Sequence, residues 1–384
     1  RRHTTMASHS GGELLQKWLE KLKEGGKLEG SVDDAAENMK KDLVASWDEL
    51  SRRLMEQESK DIGNFCESGV SWTERGSTPE GQFVQILCTT VAEIKYFMSG
   101  VERRRTEHSS RYDKPAVITA LTDEEAYRRC IVGPVALSEI YGDHCKLREV
   151  IEKVQSGVEI KLIDHFNKDP RNLQNQLNKC EGVDLNALLL GKAILSDKIK
   201  QWTLQNREKA IKNNSGPWGI KMPWRYWPHV CTHSREDRTK LQQQRLQNAE
   251  SMVTFTNLNN SKSNTNDASL SDILVKDEYK LPESTLQRVV RSAVSNGGGA
   301  PGASPLNMEN LKQELDKAIQ TQTGKNRKSS TFHHARGKKV SSGGADERRK
   351  VSLREGEGCL REREVSLREG EVSLREGEVS LREG

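Results

Sequence analysis

The sequence predicts an all-α fold: a bundle of amphipathic helices, accompanied by six cysteines and followed by a largely disordered low-complexity tail. Apolar residues recur three or four positions apart in successive segments before residue 231, where no segment shows the period of two typical of a strand. Composition changes sharply near residue 232. With 33% hydrophobic residues, 30% charged residues and a mean hydropathy of -0.79, the 384-residue chain cannot be packed throughout at ordinary globular density.

Six helices are predicted before residue 215, and four of them carry a sequence signal for their first turn. Ser31 is an N-cap residue, and Pro79 stands at a first helical position. Thr122 and Glu125 have the spacing of a capping box, and Asp184 precedes the last helix. The predicted helices span about residues 14–22, 31–54, 79–101, 122–141, 143–167 and 184–214.

Two of these segments contain residues that disturb a regular helix. Pro134 predicts a kink in the fourth helix, because proline lacks the N–H that the helix needs. Gly157 weakens the middle of the fifth helix, so two shorter helices are an alternative there. Trp18, Trp47 and Trp202 stand at helical core spacing and are predicted to lie in the core.

An aromatic segment follows the last of these helices. The run SGPWGIKMPWRYWPHVC places Trp218, Trp224 and Trp227 among prolines and glycines, which excludes a regular helix. One interpretation is a partner-facing loop whose aromatic side chains anchor a binding protein. The other is a lid that seals one end of the bundle.

The predicted organisation has four parts. Few apolar residues follow the cysteine-rich region, so the helices expected near residues 284–294 and 308–320 are predicted to be isolated. A seven-residue repeat, VSLREGE, closes the chain and carries glycine in every unit, which is poor for a coiled coil. The parts are a disordered N-terminus (1–11), a cysteine-rich helical domain (12–235), a polar linker region (236–350) and disordered repeats (351–384).

Six of the seven cysteines lie in the predicted helical domain, while Cys359 stands in the repeats. An even set suits three disulfides, for which the sequence permits about 15 pairings and selects none. Ordinary buried thiols in a reducing compartment are the alternative. Zinc is disfavoured because no Cys-x-x-Cys pair occurs, although histidines adjoin two of the cysteines. The six are Cys66, Cys88, Cys130, Cys145, Cys180 and Cys231.

Charge and motifs argue against several other classes. The net charge of +5, from 61 basic and 56 acidic residues, is too small to indicate a nucleic-acid partner. The chain shows no apolar signal-peptide core and no stretch long enough to span a bilayer. No phosphate loop, His-Glu-x-x-His pair or nucleophile elbow appears, so neither an enzyme nor a cofactor is expected, and a cysteine hydrolase is a weak alternative.

Several contiguous strings together resemble one protein family. They are ELLQKWLEKLK, DIGNFCESGVSW, AEIKYFMSGVE, RRCIVGPVALSEIYGDHCKL and CEGVDLNALLLGKAILSDKIKQW. From about Gly12 to Trp202 they are similar to the N-terminal cysteine-rich module of the schizont-infected cell agglutination (SICA) variant antigens of malaria parasites.

The resemblance implies a non-catalytic antigen on the surface of infected erythrocytes, with roles in antigenic variation, immune evasion and adhesion. It implies host antibodies or host-cell receptors as partners, and an oxidising exterior that favours three disulfides over free thiols. Family members are membrane-anchored, whereas this chain passes into low-complexity sequence. An intracellular helical interaction scaffold with reduced cysteines is the alternative function.

Overall fold

A computed structural model of the chain describes residues 15, 18, 32–55, 60–66, 79–104, 114–118, 121–165, 179–213, 231, 238–258, 269–295 and 309–321. All of these lie within residues 1–324, which form one unit of the chain. The described residues are mostly helical, as the all-α class predicts. The expected disorder of residues 1–11 and of the repeats falls outside the described residues, as does Cys359.

Apart from a short helix at Lys60–Asn64, which was not predicted, the helices of the first half follow the predicted ones closely; of the predicted helix over 14–22, only residues 15 and 18 are described. They are α1 (Val32–Met55), α2 (Lys60–Asn64), α3 (Pro79–Met98), α4 (Asp123–Tyr141), α5 (Leu147–His165) and, after a 3₁₀ turn at Lys179–Gly182, α6 (Leu185–Asn213). Thr122 and Glu125 form the predicted capping box, with bonds of 3.0 and 3.2 Å. Asp184 Oδ1 accepts from Ala187 N at 2.9 Å and so caps α6.

The fifth predicted helix is continuous. The alternative of two shorter helices is wrong, because α5 runs through Gly157 without a break. The aromatic ring of Phe65 packs directly against this glycine, and a side chain there would collide with the ring. Gly157 therefore allows close packing and does not end the helix.

A short hairpin follows α3, so the expectation of no strand before residue 231 was wrong. Strands β1 (Val101–Arg104) and β2 (Lys114–Ile118) pair antiparallel, with Val101 opposite Ile118 and an irregularity after Glu102. The strands are four and five residues long, and their sequences VERR and KPAVI show no clear alternation of apolar and polar residues. Segments this short carry too weak a signal for periodicity to detect.

Further helices follow in the region that the sequence assigned to a polar linker. They are α7 (Arg238–Phe255), α8 (Leu270–Val275), α9 (Glu283–Ser295), with a 3₁₀ turn at Asp277–Tyr279 between the last two, and a helix over 309–321 (α10). Among their residues, Phe255, Ile273, Val289 and Leu315 belong to the same buried cluster as the earlier helices. The prediction of isolated helices was therefore wrong.

Two of the three predicted core tryptophans are buried in the core, and the third packs against it. Trp18 and Trp47 are buried, and the Trp18 ring meets Tyr127 edge-on with centroids 6.3 Å apart. Trp202 is half-buried and packs edge-on against Trp47 at 5.2 Å. None of the described helices is long and apolar enough to cross a bilayer.

Candidate functional site

Three disulfides join the six cysteines of the helical region. Cys66 beside α2 pairs with Cys88 of α3, and Cys130 of α4 pairs with Cys180 of the 3₁₀ turn before α6. The third bond joins Cys145, between α4 and α5, to Cys231. The bonds span 22, 50 and 86 residues, so each ties together segments distant in sequence.

His144 brings a ring nitrogen close to Cys145 and Cys231, and the three ligand atoms lie within 4.8 Å of one another. The two sulfurs share a covalent bond. The Nδ1 atom of His144 accepts from Lys146 N at 3.0 Å, which places the proton of the neutral ring on Nε2. Burial, followed by the nearby Lys146 charge, lowers the pKa of His144 to about 3. The two sulfurs are thus bonded to each other and Nδ1 of His144 already accepts a hydrogen bond, so this cluster has the chemistry of a structural cross-link.

Two arginines hold the C-terminal end of α3 and the first strand. Arg53 Nη1 donates to Val101 O at 2.7 Å, and Arg129 Nη1 donates to Phe97 O at 3.0 Å. Both guanidinium groups lie over the Phe97 ring, 5.5 and 4.8 Å from its centroid. Glu49 pairs with both arginines, at 2.8 and 3.0 Å. The base of the hairpin is thus fixed to α1 and α4 by charged groups that are mostly buried.

The C-terminal end of α7 is closed by a Schellman motif. Asn257 adopts a left-handed φ of 54°, which asparagine tolerates better than most residues. The Asn257 N–H donates to Thr254 O, and the Leu258 N–H donates to Val253 O, each at 3.1 Å. These bonds satisfy two of the carbonyls that a helix end leaves open. The carbonyl oxygen of the next residue, Phe255, accepts a hydrogen bond from another element of the fold.

That other element is α3. Lys95 Nζ donates to Phe255 O at 2.6 Å and lies 5.1 Å from the centre of the Phe255 ring. The Lys95 side chain is buried, with 2% of the residue exposed. A buried ammonium at a helix C-terminus meets the negative end of the helix dipole. Lys95 therefore recognises the end of α7 by both hydrogen bonding and charge.

A second buried lysine binds the end of α8. Lys192 Nζ donates to Ile273 O at 2.6 Å and to Lys276 O at 2.7 Å. A third bond reaches Leu274 O at 3.2 Å, and this carbonyl also accepts from Ser138 Oγ at 2.9 Å. The three protons of the ammonium thus meet three carbonyls.

Burial lowers the pKa of Lys192 to about 8, and the nearby carboxylates of Glu139 and Asp277 oppose that shift. At neutral pH the amine remains mostly protonated. Glu139 is held in turn by Ser196 Oγ, which donates at 2.7 Å, and by Lys200 at 3.4 Å. The positive charge of Lys192 is therefore partly balanced within the fold.

Two hydrogen bonds run in the opposite direction, from α7 to the end of α4. Asn248 Nδ2 donates to Gly142 O and to His144 O, both at 3.0 Å, and Asn248 is buried. These carbonyls follow the last turn of α4, beside the Cys145–Cys231 disulfide. Hydrogen bonds donated from both sides therefore connect the residues up to 202 with the residues from 238 onward.

The structure brings the predicted cysteines together in pairs and leaves other expectations open. The proposed partner-facing residues Trp218, Trp224 and Trp227 lie outside the described residues. The sequence patterns do not identify Lys95 and Lys192 as anchors. Their one visible signal is that each is a charged residue on an otherwise apolar helix face. The charged end of such a side chain usually reaches solvent at the edge of the face, so the pattern does not predict a buried charge.

One family model matches the chain, and its description is SICA extracellular alpha domain. The match covers residues 12–202, which is about half of the sequence and ends within α6. No curated protein and no solved structure matches the chain.

Proposed function

The chain belongs to the SICA variant antigen family, and from this membership we propose that it is a non-catalytic variant surface antigen of infected erythrocytes. Its role is to present a changeable surface to host antibodies and to contact host-cell receptors. The observation that carries the proposal is the family match over residues 12–202. Antigenic variation, immune evasion and adhesion are the parts of this role that experiment must test.

The chemistry of the helical region supports an extracellular antigen. Disulfides persist in oxidising surroundings and are rare where glutathione keeps thiols reduced. All six cysteines of the region are paired, which suits exposure outside a cell. Paired cysteines also offer no thiolate, the species that a cysteine hydrolase needs as its nucleophile.

The packing of the helical region also supports a variable surface. Buried helices, disulfides and the arginine pair fix the backbone, while the outward positions of α1 and α5 carry charged residues such as Glu37, Lys41, Arg148 and Glu152. Exposed substitutions away from special contacts usually change stability by less than about 0.5 kcal/mol. Such positions can therefore vary without loss of the fold.

Surface staining tests the proposal. Antibodies raised against the oxidised recombinant chain should label intact, unpermeabilised infected erythrocytes, and brief trypsin treatment of the intact cells should remove the label. The matched control is an antibody against a protein of the parasite interior, which should stain only after permeabilisation.

Staining that requires permeabilisation, together with free thiols in native material, would instead support the intracellular scaffold. A parallel measurement on clonal parasite lines should show that the chain is expressed in some lines and silent in others. Uniform expression in every line would contradict a role in antigenic variation.

A further inference from the structure

The end of the family match does not coincide with the end of the packed unit. Residues 12–202 include five of the six paired cysteines, and the partner of Cys145 is Cys231, beyond the match. The helices α7 and α8 pack against α4, α5 and α6 and share their buried cluster. A unit cut at residue 202 would therefore lack one disulfide partner and part of its core.

The contact between these two parts has a recurring chemistry. Lys95 and Lys192 are each 2% exposed, and each donates to carbonyls at the C-terminal end of a helix that lies beyond residue 202. Without those carbonyls, each buried ammonium would lose the hydrogen-bond acceptors that it has beyond residue 202. Burying a charge without a partner is strongly unfavourable.

The buried lysines also favour one end of a helix over the other. The Schellman motif at Asn257 satisfies neighbouring carbonyls of α7 and leaves Phe255 O for Lys95. At α8, carbonyls of its last turn and the carbonyl of Lys276, which follows it, converge on Lys192. Helix C-termini carry partial negative charge, so paired buried cations select this end of a helix over its N-terminus.

We infer that the surface formed by Lys95, Ser138 and Lys192 is a binding site for helix C-termini, that α7 and α8, with the residues that end them, are its ligand, and that the site holds this ligand without the peptide bonds between Cys231 and Arg238. The SICA-matched region is in this sense a receptor for its own downstream segment. The Cys145–Cys231 bond stays with the receptor and places the start of the ligand near its site.

Cleavage of the full chain tests this inference. A protease recognition sequence flanked by Gly-Ser spacers is inserted between Thr232 and Asp237, and the protein is cut under oxidising conditions. The two pieces should migrate as one species in size-exclusion chromatography at about 1 μM protein, since the buried surface and the lysine bonds remain. Two separate pieces at that concentration would overturn the inference.

Lysine variants test which groups hold the ligand. In the cut protein, Lys95→Met with Lys192→Met should weaken association by about 100-fold or more, because charge-assisted hydrogen bonds are lost at both helix ends. The matched control is Lys198→Met, also on α6, whose half-exposed side chain pairs with Asp48. Equal association of the double variant and the control would refute the assigned anchors.

A measurement on the unmodified chain gives an independent result if the double variant does not fold. In a hydrogen-exchange experiment, the amides of residues 248–256 and 270–276 should be protected to nearly the same degree as those of α4. The reason is that all three segments belong to one packed unit. Exchange of the α7 and α8 amides near the rate of an unstructured peptide, with α4 still protected, would also overturn the inference.

Discussion

The sulfur of Cys145 is bonded to the sulfur of Cys231, and this bond closes a span of 86 residues, the longest of the three. It lies beside buried His144 and beside the carbonyls that Asn248 contacts. The disulfide therefore lies beside the hydrogen bonds by which Asn248 of α7 contacts the end of α4.

Removing this bond should cost more stability than removing the shortest one. Loop-closure entropy predicts a loss of about 4.6 kcal/mol for the 86-residue span of Cys145→Ser with Cys231→Ser. The matched pair Cys66→Ser with Cys88→Ser opens a 22-residue span and should lose about 3.4 kcal/mol. Urea denaturation measures both. If the two double variants unfold at the same midpoint as the wild type, the disulfides do not stabilise the fold.

Packing between α4 and α6 depends on a glycine. A Cβ atom at Gly191 would collide with Cγ2 of Ile131, a β-branched side chain that cannot rotate away easily. Gly191→Ala should therefore destabilise the protein by about 1–3 kcal/mol, although alanine normally stabilises a helix by about 1 kcal/mol. Thermal unfolding checks the sign.

Gly133→Ala is the comparison for that variant. A Cβ at Gly133 would meet the side chain of Met98, which is flexible and can move aside. The loss in Gly133→Ala should be clearly smaller than in Gly191→Ala. A larger loss at Gly133 would show that the α3–α4 contact is the tighter one.

Acid should destabilise the fold through His144. Its folded pKa of about 3 lies below the ordinary value of 6.5, so the unfolded chain binds the proton more readily. Neutral, buried His144 makes its full contribution to stability above about pH 6.5. As the pH falls from there toward 3, the free energy of unfolding decreases by about 1.4 kcal/mol per pH unit.

His144→Asn supplies the control, since the asparagine oxygen can take the place of Nδ1 and accept the Lys146 N–H. Denaturant melts between pH 7 and pH 4.5 should show a steeper decline for the wild type than for this variant. Parallel declines would mean that other groups govern the acid sensitivity.

Glu49 should matter more than an ordinary surface carboxylate. Glu49→Gln removes the closest negative partner of Arg53, which keeps Glu93 at 3.8 Å, and a negative partner of Arg129; both arginines remain mostly buried over Phe97. We expect a loss of about 1.5 kcal/mol or more. Glu152→Gln, which breaks an exposed pair with Arg148, should lose less than about 0.5 kcal/mol in the same chemical denaturation assay. Equal losses would contradict a special role for the arginine pair.

Local signals account for what could be predicted. The Thr122–Glu125 capping box and Pro79 at a helix start each lie within one turn of chain, so the sequence alone reveals them. The first half of α7 has no comparable pattern: LQQQRLQN is polar on nearly every side. Its helix is stabilised by distant partners such as Lys95, which no local window contains.

The sequence by itself determined the all-α class, the positions of the early helices, the even set of six cysteines and the family resemblance. Only the tertiary structure decided which cysteines pair, that a hairpin follows α3, and that the packed unit continues beyond residue 202 to α7 and α8. The physical reason is range. Caps and periodicity depend on neighbours a few residues away, whereas a disulfide or a buried lysine at a helix end depends on groups that only the folded chain brings together.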